Sequence, residues 1–246
     1  MLYQFGTGRM TGVRTAGDLP TYLRISERLT RDIAAGRLEA GTRLPPERQM
    51  AADWGVSVGT LRKALAELEA RGLLSRVQGS GNYVQAQPDV RSVYALFRLE
   101  RVSGGGLPTA RVLDVRRLAK PRSAPSFGPS AEAHRIRRLR RLDDIPVALE
   151  EIWLDADAAP RLTAADLSES LYRFYADRLG LVIGRVEDRI GVGTMPDWGP
   201  RDGPAPGAPA GYIERLGRAE GGAAVEFSRT WFDPDKARYV SRMGKG

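Results

Sequence analysis

Between Pro20 and Gln85 the apolar residues recur first at helical and then at strand spacing, and the switch falls at Gly72. Tyr22, Ile25, Leu29 and Ile33 share one side of a helix that Pro20 opens and that ends near Gly36. A Gly-Thr-Arg-Leu-Pro-Pro spacer (41–46) precedes a second helix, about Pro46 to Trp54, which Gly55 breaks. Ser57 can cap a third helix, whose stripe of Leu61, Ala64, Leu65 and Leu68 ends at Gly72. From there Leu73–Val77 and Asn82–Gln85 read as strands around a Gln78-Gly79-Ser80-Gly81 turn. Three short helices carrying a small hairpin close one small core and no more. The rest of the chain must build its own.

At 246 residues the chain exceeds the roughly 100–200 usual for one domain, so two domains are expected. Residues 1–19 are Gly-rich without a clear period and read as a mobile leader, 20–86 as the first domain, 87–92 as a linker around Pro88, and 93–246 as the second. From Val93 onward strand-like runs alternate with one helix, Ser168 to Leu179, and with a Gly/Pro-rich stretch, Pro196 to Gly211, which together make an α+β pattern.

Composition removes several chemistries. Without cysteine there is no disulfide, thiol nucleophile or thiolate metal site, and a sole histidine, His134, gives no imidazole cluster. No metal, no cofactor and no catalytic residue are therefore expected. No run approaches the roughly 18 apolar residues of a membrane helix, and no signal-peptide core opens the chain, so no membrane partner and a cytoplasmic location are expected. The net charge of +8 suits an anionic partner, and it is shared evenly, about +4 on residues 1–86 and about +4 on the remainder.

Residues 22–84, through LPPER (44–48), GVSVGTLRKALAELEARGLL (55–74) and QGSGNYV (78–84), resemble the winged helix-turn-helix of the GntR regulators. The resemblance implies that the third helix enters the major groove of double-stranded DNA and the hairpin approaches the minor groove. Arg48, Ser57, Thr60, Arg62 and Gly79 match family positions that touch DNA. Lys63 lies off the apolar stripe beside Arg62, and Gln78 lies at the wing tip, so both join the expected interface. The short side chains and backbone N–H groups of a helix N-terminus suit phosphates, and a helix fits the major groove. Where many relatives carry an arginine and a polar residue this chain has Val58 and Gly59. A missing arginine–guanine contact removes roughly 1–3 kcal/mol of discrimination, so the operator is expected to differ from the commonest consensus.

Residues 93–243 resemble the UTRA effector domain of the HutC-like GntR branch, which has a chorismate-lyase-like fold. The matching stretches are GLPTARVLDV (106–115), RIRRLRRLDDIPVALEEIWL (135–154), LSESLYRFYADRLGL (167–181) and AAVEFSRTWF (223–232). Five arginines stand within residues 135–141. Strand alternation puts Ile136, Arg138, Arg140 and Leu142 on one face and leaves Arg135, Arg137 and Arg141 as surface charge. In the next strand Glu150 shares a face with Ala148, Ile152 and Leu154. Guanidiniums beside an apolar surface need anionic partners, and their planar fork suits phosphate or carboxylate. The resemblance places Arg138, Arg140, Glu150, Ser170 and Tyr172 at effector-contacting positions. Glu226 and Ser228, on one face of the last major strand, are expected to complete the site, while Trp153 is expected to pack. The alternative for the arginines is an internal Arg–Glu salt bridge that holds the sheet.

The expected protein is an α+β transcription regulator, a homodimeric repressor presenting two recognition helices to a near-palindromic operator and released by a small anionic effector such as a phosphorylated sugar or carboxylate. Two alternatives stay open. One is lyase-like activity in the second domain, against which no nucleophile–base pair can be assembled. The other is a second domain that only dimerises.

Overall fold

The computed structural model describes residues 20–34, 37–85, 96–167 and 170–241. The leader at 1–19, the end of the first helix near Gly36 and the linker at 87–92 lie outside the described residues. Two compact units emerge, one built on residues 20–85 and the other on 98–104 and 108–240.

The first unit packs α1 (Thr21–Ala34), α2 (Glu47–Trp54) and α3 (Val58–Ala70) above a hairpin of β1 (Leu74–Val77) and β2 (Gly81–Val84). Its core is the stripe read from the sequence, with Ile25 and Leu29 of α1 against Leu61, Ala64, Leu65 and Leu68 of α3 and Met50 and Trp54 of α2. Gly55 closes α2 at φ 65°, a left-handed conformation that costs a residue without Cβ little. Ser57 caps α3 by accepting from Thr60 N at 3.1 Å. The hairpin pairs Leu74 with Val84 and Val77 with Gly81, and an isolated bridge joins Arg43 to Tyr83.

The second unit is a six-stranded antiparallel sheet in the order β4-β5-β6-β9-β8-β7, formed by β4 (Pro108–Ala119), β5 (Glu132–Leu142), β6 (Ile145–Asp155), β7 (Ile183–Thr194), β8 (Pro209–Ala219) and β9 (Ala224–Phe232). A separate ribbon pairs β3 (Leu99–Arg101) with β10 (Ala237–Tyr239). The β5–β6 hairpin turns through Asp143 and Asp144, both at positive φ (49° and 65°), as a tight two-residue turn requires. Its register sets Arg138 opposite Glu150 and Ile136 opposite Ile152.

Each face of this sheet is covered differently. On one, Phe127, Ala133, Trp153 and Phe227 pack together, and Leu139 and Leu149 meet Met195 and Ala210. Trp153 therefore packs, on the face away from Glu150. The Gly/Pro-rich stretch is fixed here: Trp198 meets Trp231 edge-on, and Asp202 takes Arg111 and Arg141 at 2.6 Å each. Arg135 and Arg137 are more engaged than surface charge would be. Arg135 pairs with Asp114, and Arg137 binds Glu151 at 2.8 Å beneath the Trp198 ring.

The expected helix at Ser168–Leu179 is shorter and less regular. Ser168 and Glu169 lie outside the described residues; α4 (Leu171–Phe174) follows Ser170 and widens into one π-turn, Tyr175–Leu179, which Gly180 ends at φ 62°. Such widened turns recur at functional sites. Here the widening accompanies a shared target for two tyrosines.

Candidate functional sites

In the first unit, the candidate DNA face gathers on α3, the start of α2 and the wing. Arg48, Ser57, Arg62, Lys63, Gln78 and Gly79 are all exposed, and Thr60 is half-buried. Ser57 Oγ also shares a hydrogen bond with Thr60 Oγ1 at 2.8 Å, so both hydroxyls sit on the first turn of α3. Gly79 holds φ 75° with open space around it; backbone conformation, not crowding, calls for glycine at the wing tip. A side chain at Gly59 would meet only Ser57 Oγ at 3.8 Å, so the departure from the family leaves room.

The sequence reading missed a carboxylate on this face. Glu47, in the first turn of α2, receives Arg62 Nε at 2.7 Å and lies 3.6 Å from Arg76 of the wing strand β1. The hydrogen bond from Arg62 pulls the Glu47 carboxyl below its usual range despite partial burial, and the charges of Arg62 and Arg76 assist. One acid thus ties the recognition helix to the wing. Spacing within LPPER does not reveal it, because the partners come from two later elements.

In the second unit, the strand register collects the other predicted residues on one sheet face. Arg138 and Arg140 of β5 face Glu150 of β6, and Glu226, Ser228 and Thr230 of β9 continue the surface. All six are buried. Arg138 Nε and Nη2 donate to Glu150 Oε2 at 3.1 and 2.8 Å, with Arg140 Nε 3.5 Å from the same oxygen. The internal salt bridge weighed from the sequence is formed. Burial pushes the Glu150 carboxyl up, but Arg140 and Arg138 outweigh it and hold the acid ionised. Arg138 Nη1 is buried and has no hydrogen-bond partner among the described residues.

Glu226 behaves oppositely. It accepts Tyr172 OH at 3.0 Å and Tyr175 OH at 2.7 Å, yet burial is strong enough to raise its pKa. Both tyrosine hydroxyls are held protonated by their own burial and by the neighbouring Glu226. Ser170 is buried and caps this helix, its Oγ accepting from Arg173 N at 3.4 Å.

Five residues of this cluster escaped the sequence reading, Thr230 of β9 among them. Tyr175 joins through the π-turn. Arg215 of β8, opposite Ser228, is clamped by Asp188 of β7 at 2.6 and 2.7 Å, and Tyr239 OH donates to Asp188 at 2.7 Å. The alternation Ile213, Arg215, Gly217 carries the signal for Arg215. Asp188 and Tyr239 become visible only with the register of β7 and β10. Among the described residues no group of acidic and histidine side chains fit for a metal occurs.

An exposed helix-turn-helix with a wing in one unit, and a buried arginine-containing polar cluster on a sheet in the other, define a one-component transcription regulator. The chain belongs to the GntR family: the family model for bacterial regulatory proteins of the gntR family matches residues 21–84, and the UTRA domain model matches 103–238. It is 57% identical to the HTH-type transcriptional regulator SmoD of Agrobacterium fabrum over 93% of this chain and 98% of that one. It is also 27% identical to the HTH-type transcriptional repressor NagR of Bacillus subtilis over 92% and 96%. The mannosyl-D-glycerate transport/metabolism system repressor MngR of Escherichia coli is 31% identical over 73% and 77%. In fold the chain is similar to YydK of Bacillus subtilis, with a TM-score of 0.52 at 20% identity over 92% of this chain and all of that one. The ligand-binding domain of a GntR-family regulator from Bordetella bronchiseptica gives 0.53 at 23% identity over 60% and 96%. The protein is a DNA-binding transcription regulator with an effector-binding domain.

Proposed function

We propose that this chain is a cytoplasmic homodimeric repressor that leaves a near-palindromic operator when a small anionic effector, a phosphorylated or carboxylated sugar, binds around Arg138, Arg140 and Glu150. The observation that carries the effector class is the buried Arg138 Nη1, a charged donor without a partner among the described residues. Leaving such a group unsatisfied is costly, and an oxyanion is its natural acceptor. Glu226, Ser228, Thr230 and Tyr172 on the same surface suit sugar hydroxyls, and Ser170 holds the helix that presents Tyr172. MngR is named for a mannosyl-D-glycerate system, a glycoside bearing a carboxylate.

On the DNA side, Arg48, Ser57, Thr60, Lys63 and Gln78 hold phosphates, Gly79 lets the wing approach, and Arg62 reads a base edge. The effector cluster binds and does not turn over its ligand: Glu150 is held by guanidiniums and Glu226 by two phenols, so neither acid is placed to move a substrate proton.

Calorimetry with D-glucose 6-phosphate, D-glucuronate and mannosyl-D-glycerate, each against uncharged D-glucose, tests the effector class. Binding confined to the anions supports it; D-glucose binding as tightly as the anions contradicts it. A second reading, in which this domain only dimerises, is favoured by the Arg138–Glu150 bridge. An effector response that survives Arg138→Ala with Arg140→Ala would remove those arginines from the site.

A further inference from the structure

The six-stranded sheet has two free-running edges of unlike character. The β4 edge is broken by a bulge between Val112 and Asp114 and carries exposed Arg111, Arg116 and Arg117, tied to Asp202, Asp114 and Glu132. Bulges and edge charges are the usual means of preventing strand addition. The β7 edge also carries exposed charges, Arg185, Glu187 and Arg189, but they are of mixed sign and no bulge interrupts the strand beyond its first residues. After one offset at Gly184 it runs in unbroken register with β8 from Arg185 to Thr194, and β8 is its one strand neighbour among the described residues. Ile190 is 56% exposed and Val192 91%. A long regular edge with exposed apolar residues is a template for another strand.

We infer that β7 is the surface through which the chain pairs with a second copy of itself, antiparallel and about a two-fold axis at Asp188; this rests on the homodimer reading above. The occupant follows from self-complementarity. A two-fold axis through the sheet pairs residues whose numbers sum to a constant, and only even sums keep side chains on matching faces. With the axis at Asp188, Glu187 stands opposite Arg189 of the partner subunit and Val186 opposite Ile190 of the partner subunit, each pairing occurring twice. Moving the axis to Glu187 sets Glu187 against itself and Arg185 against Arg189. Moving it to Arg189 sets that arginine against itself. Like charges directly opposite oppose pairing.

The local state of these residues fits that register. Glu187 and Arg189 are 50% and 75% exposed and bond each other at 3.1 Å along the strand, so both are available to a facing strand. Asp188, which meets itself at the axis, is already neutralised by Arg215 and bound by Tyr239.

Charge exchange on these two exposed positions tests the interface, read by sedimentation velocity with circular dichroism as a check on folding. Wild-type chain is expected to be a dimer. Glu187→Arg alone and Arg189→Glu alone are each expected to weaken dimerisation about tenfold or more, because each homodimer then faces like charges. An equimolar mixture of the two variants restores both opposite-charge pairs and is expected to recover wild-type dimerisation. Variants that dimerise as tightly as wild type, or a mixture that stays as weak as its components, would overturn the β7 register while leaving the homodimer in place. A monomeric wild type would overturn the homodimer reading itself.

Discussion

Arg138 grips one oxygen of Glu150 with two of its three nitrogens and keeps the third, Nη1, buried without a hydrogen-bond partner among the described residues. The pair is thus both a strut between β5 and β6 and a donor held in reserve. These two roles separate by mutation. Arg138→Ala removes both hydrogen bonds from the buried Glu150 and leaves it Arg140 at 3.5 Å, and is expected to cost about 3 kcal/mol of stability. Adding Glu150→Gln removes that charge and is expected to return most of the loss in urea unfolding. It is not expected to return the effector response in a DNA-release assay, because the donor is gone. Recovery of both together would show a purely structural pair.

Glu226 and Glu150 are expected to pull the pH dependence of stability in opposite directions. Burial raises the folded-state pKa of Glu226 above its ordinary 4.5, so between that value and the raised one the folded chain binds more protons than the unfolded chain. Its contribution is fully present below 4.5 and is lost as pH rises through the folded value. Glu150 is lowered from 4.5, so its contribution is present above 4.5 and lost as pH falls through its folded value. Urea midpoints of Glu226→Gln, measured relative to wild type from pH 4.5 upward, are expected to climb with pH. For Glu150→Gln the relative midpoints are expected to fall as pH rises toward 4.5. A flat Glu226→Gln profile would contradict the raised pKa.

On the DNA face, Arg62→Ala is expected to cost about 1–3 kcal/mol of operator affinity and to relax preference at one base position, as a base-reading arginine does. Uniform weakening across sequences, with a shallower salt dependence, would make Arg62 a phosphate contact instead. Selection from a random-sequence DNA pool distinguishes the two.

Glu47→Gln separates the orientation of Arg62 from its charge. The substitution removes a negative charge beside phosphates and releases Arg62 and Arg76 from their shared partner. Non-specific DNA is expected to bind more tightly while the operator-to-non-specific ratio falls. A ratio unchanged within error would show that Glu47 does not position Arg62.

Ser57→Ala is expected to lower stability by about 1 kcal/mol through loss of the cap on Thr60 N. Ser57→Asp keeps the cap but sets a carboxylate against DNA, so it is expected to retain stability and weaken operator binding. Equal operator affinity for Ser57→Asp and wild type would place Ser57 away from the phosphates.

The first unit was legible because its signals are local. Gly55, Ser57 and Gly72 punctuate the helices, and Leu61, Ala64, Leu65 and Leu68 mark the buried stripe, each within one turn of the next. In the second unit, alternation grouped Arg138 with Arg140 and set Glu150 beside Ala148 and Ile152, but the two faces match only because a bulge between Arg140 and Arg141 shifts the register set by the Asp143-Asp144 turn by one residue. Arg215, Asp188, Tyr175 and Tyr239 were not legible. They reach the cluster through strands and a helix far apart in sequence, and a π-turn has no single-residue signature. The same limit hid the pairing of Arg135 with Asp114 and of Arg137 with Glu151, which a charge run presents as surface.

The central claim is that an anion held at Arg138 and Arg140 controls DNA affinity. The direct measurement is fluorescence-anisotropy titration of an operator selected from a random-sequence pool, with and without the tightest-binding anion among D-glucose 6-phosphate, D-glucuronate and mannosyl-D-glycerate. Wild type and the folded Arg138→Gln/Glu150→Gln variant are compared side by side. The expected result is an operator affinity that falls about tenfold or more with the anion for wild type, a coupling of roughly 1.4 kcal/mol, and no anion effect for the variant. An anion effect of equal size in both proteins would contradict the claim.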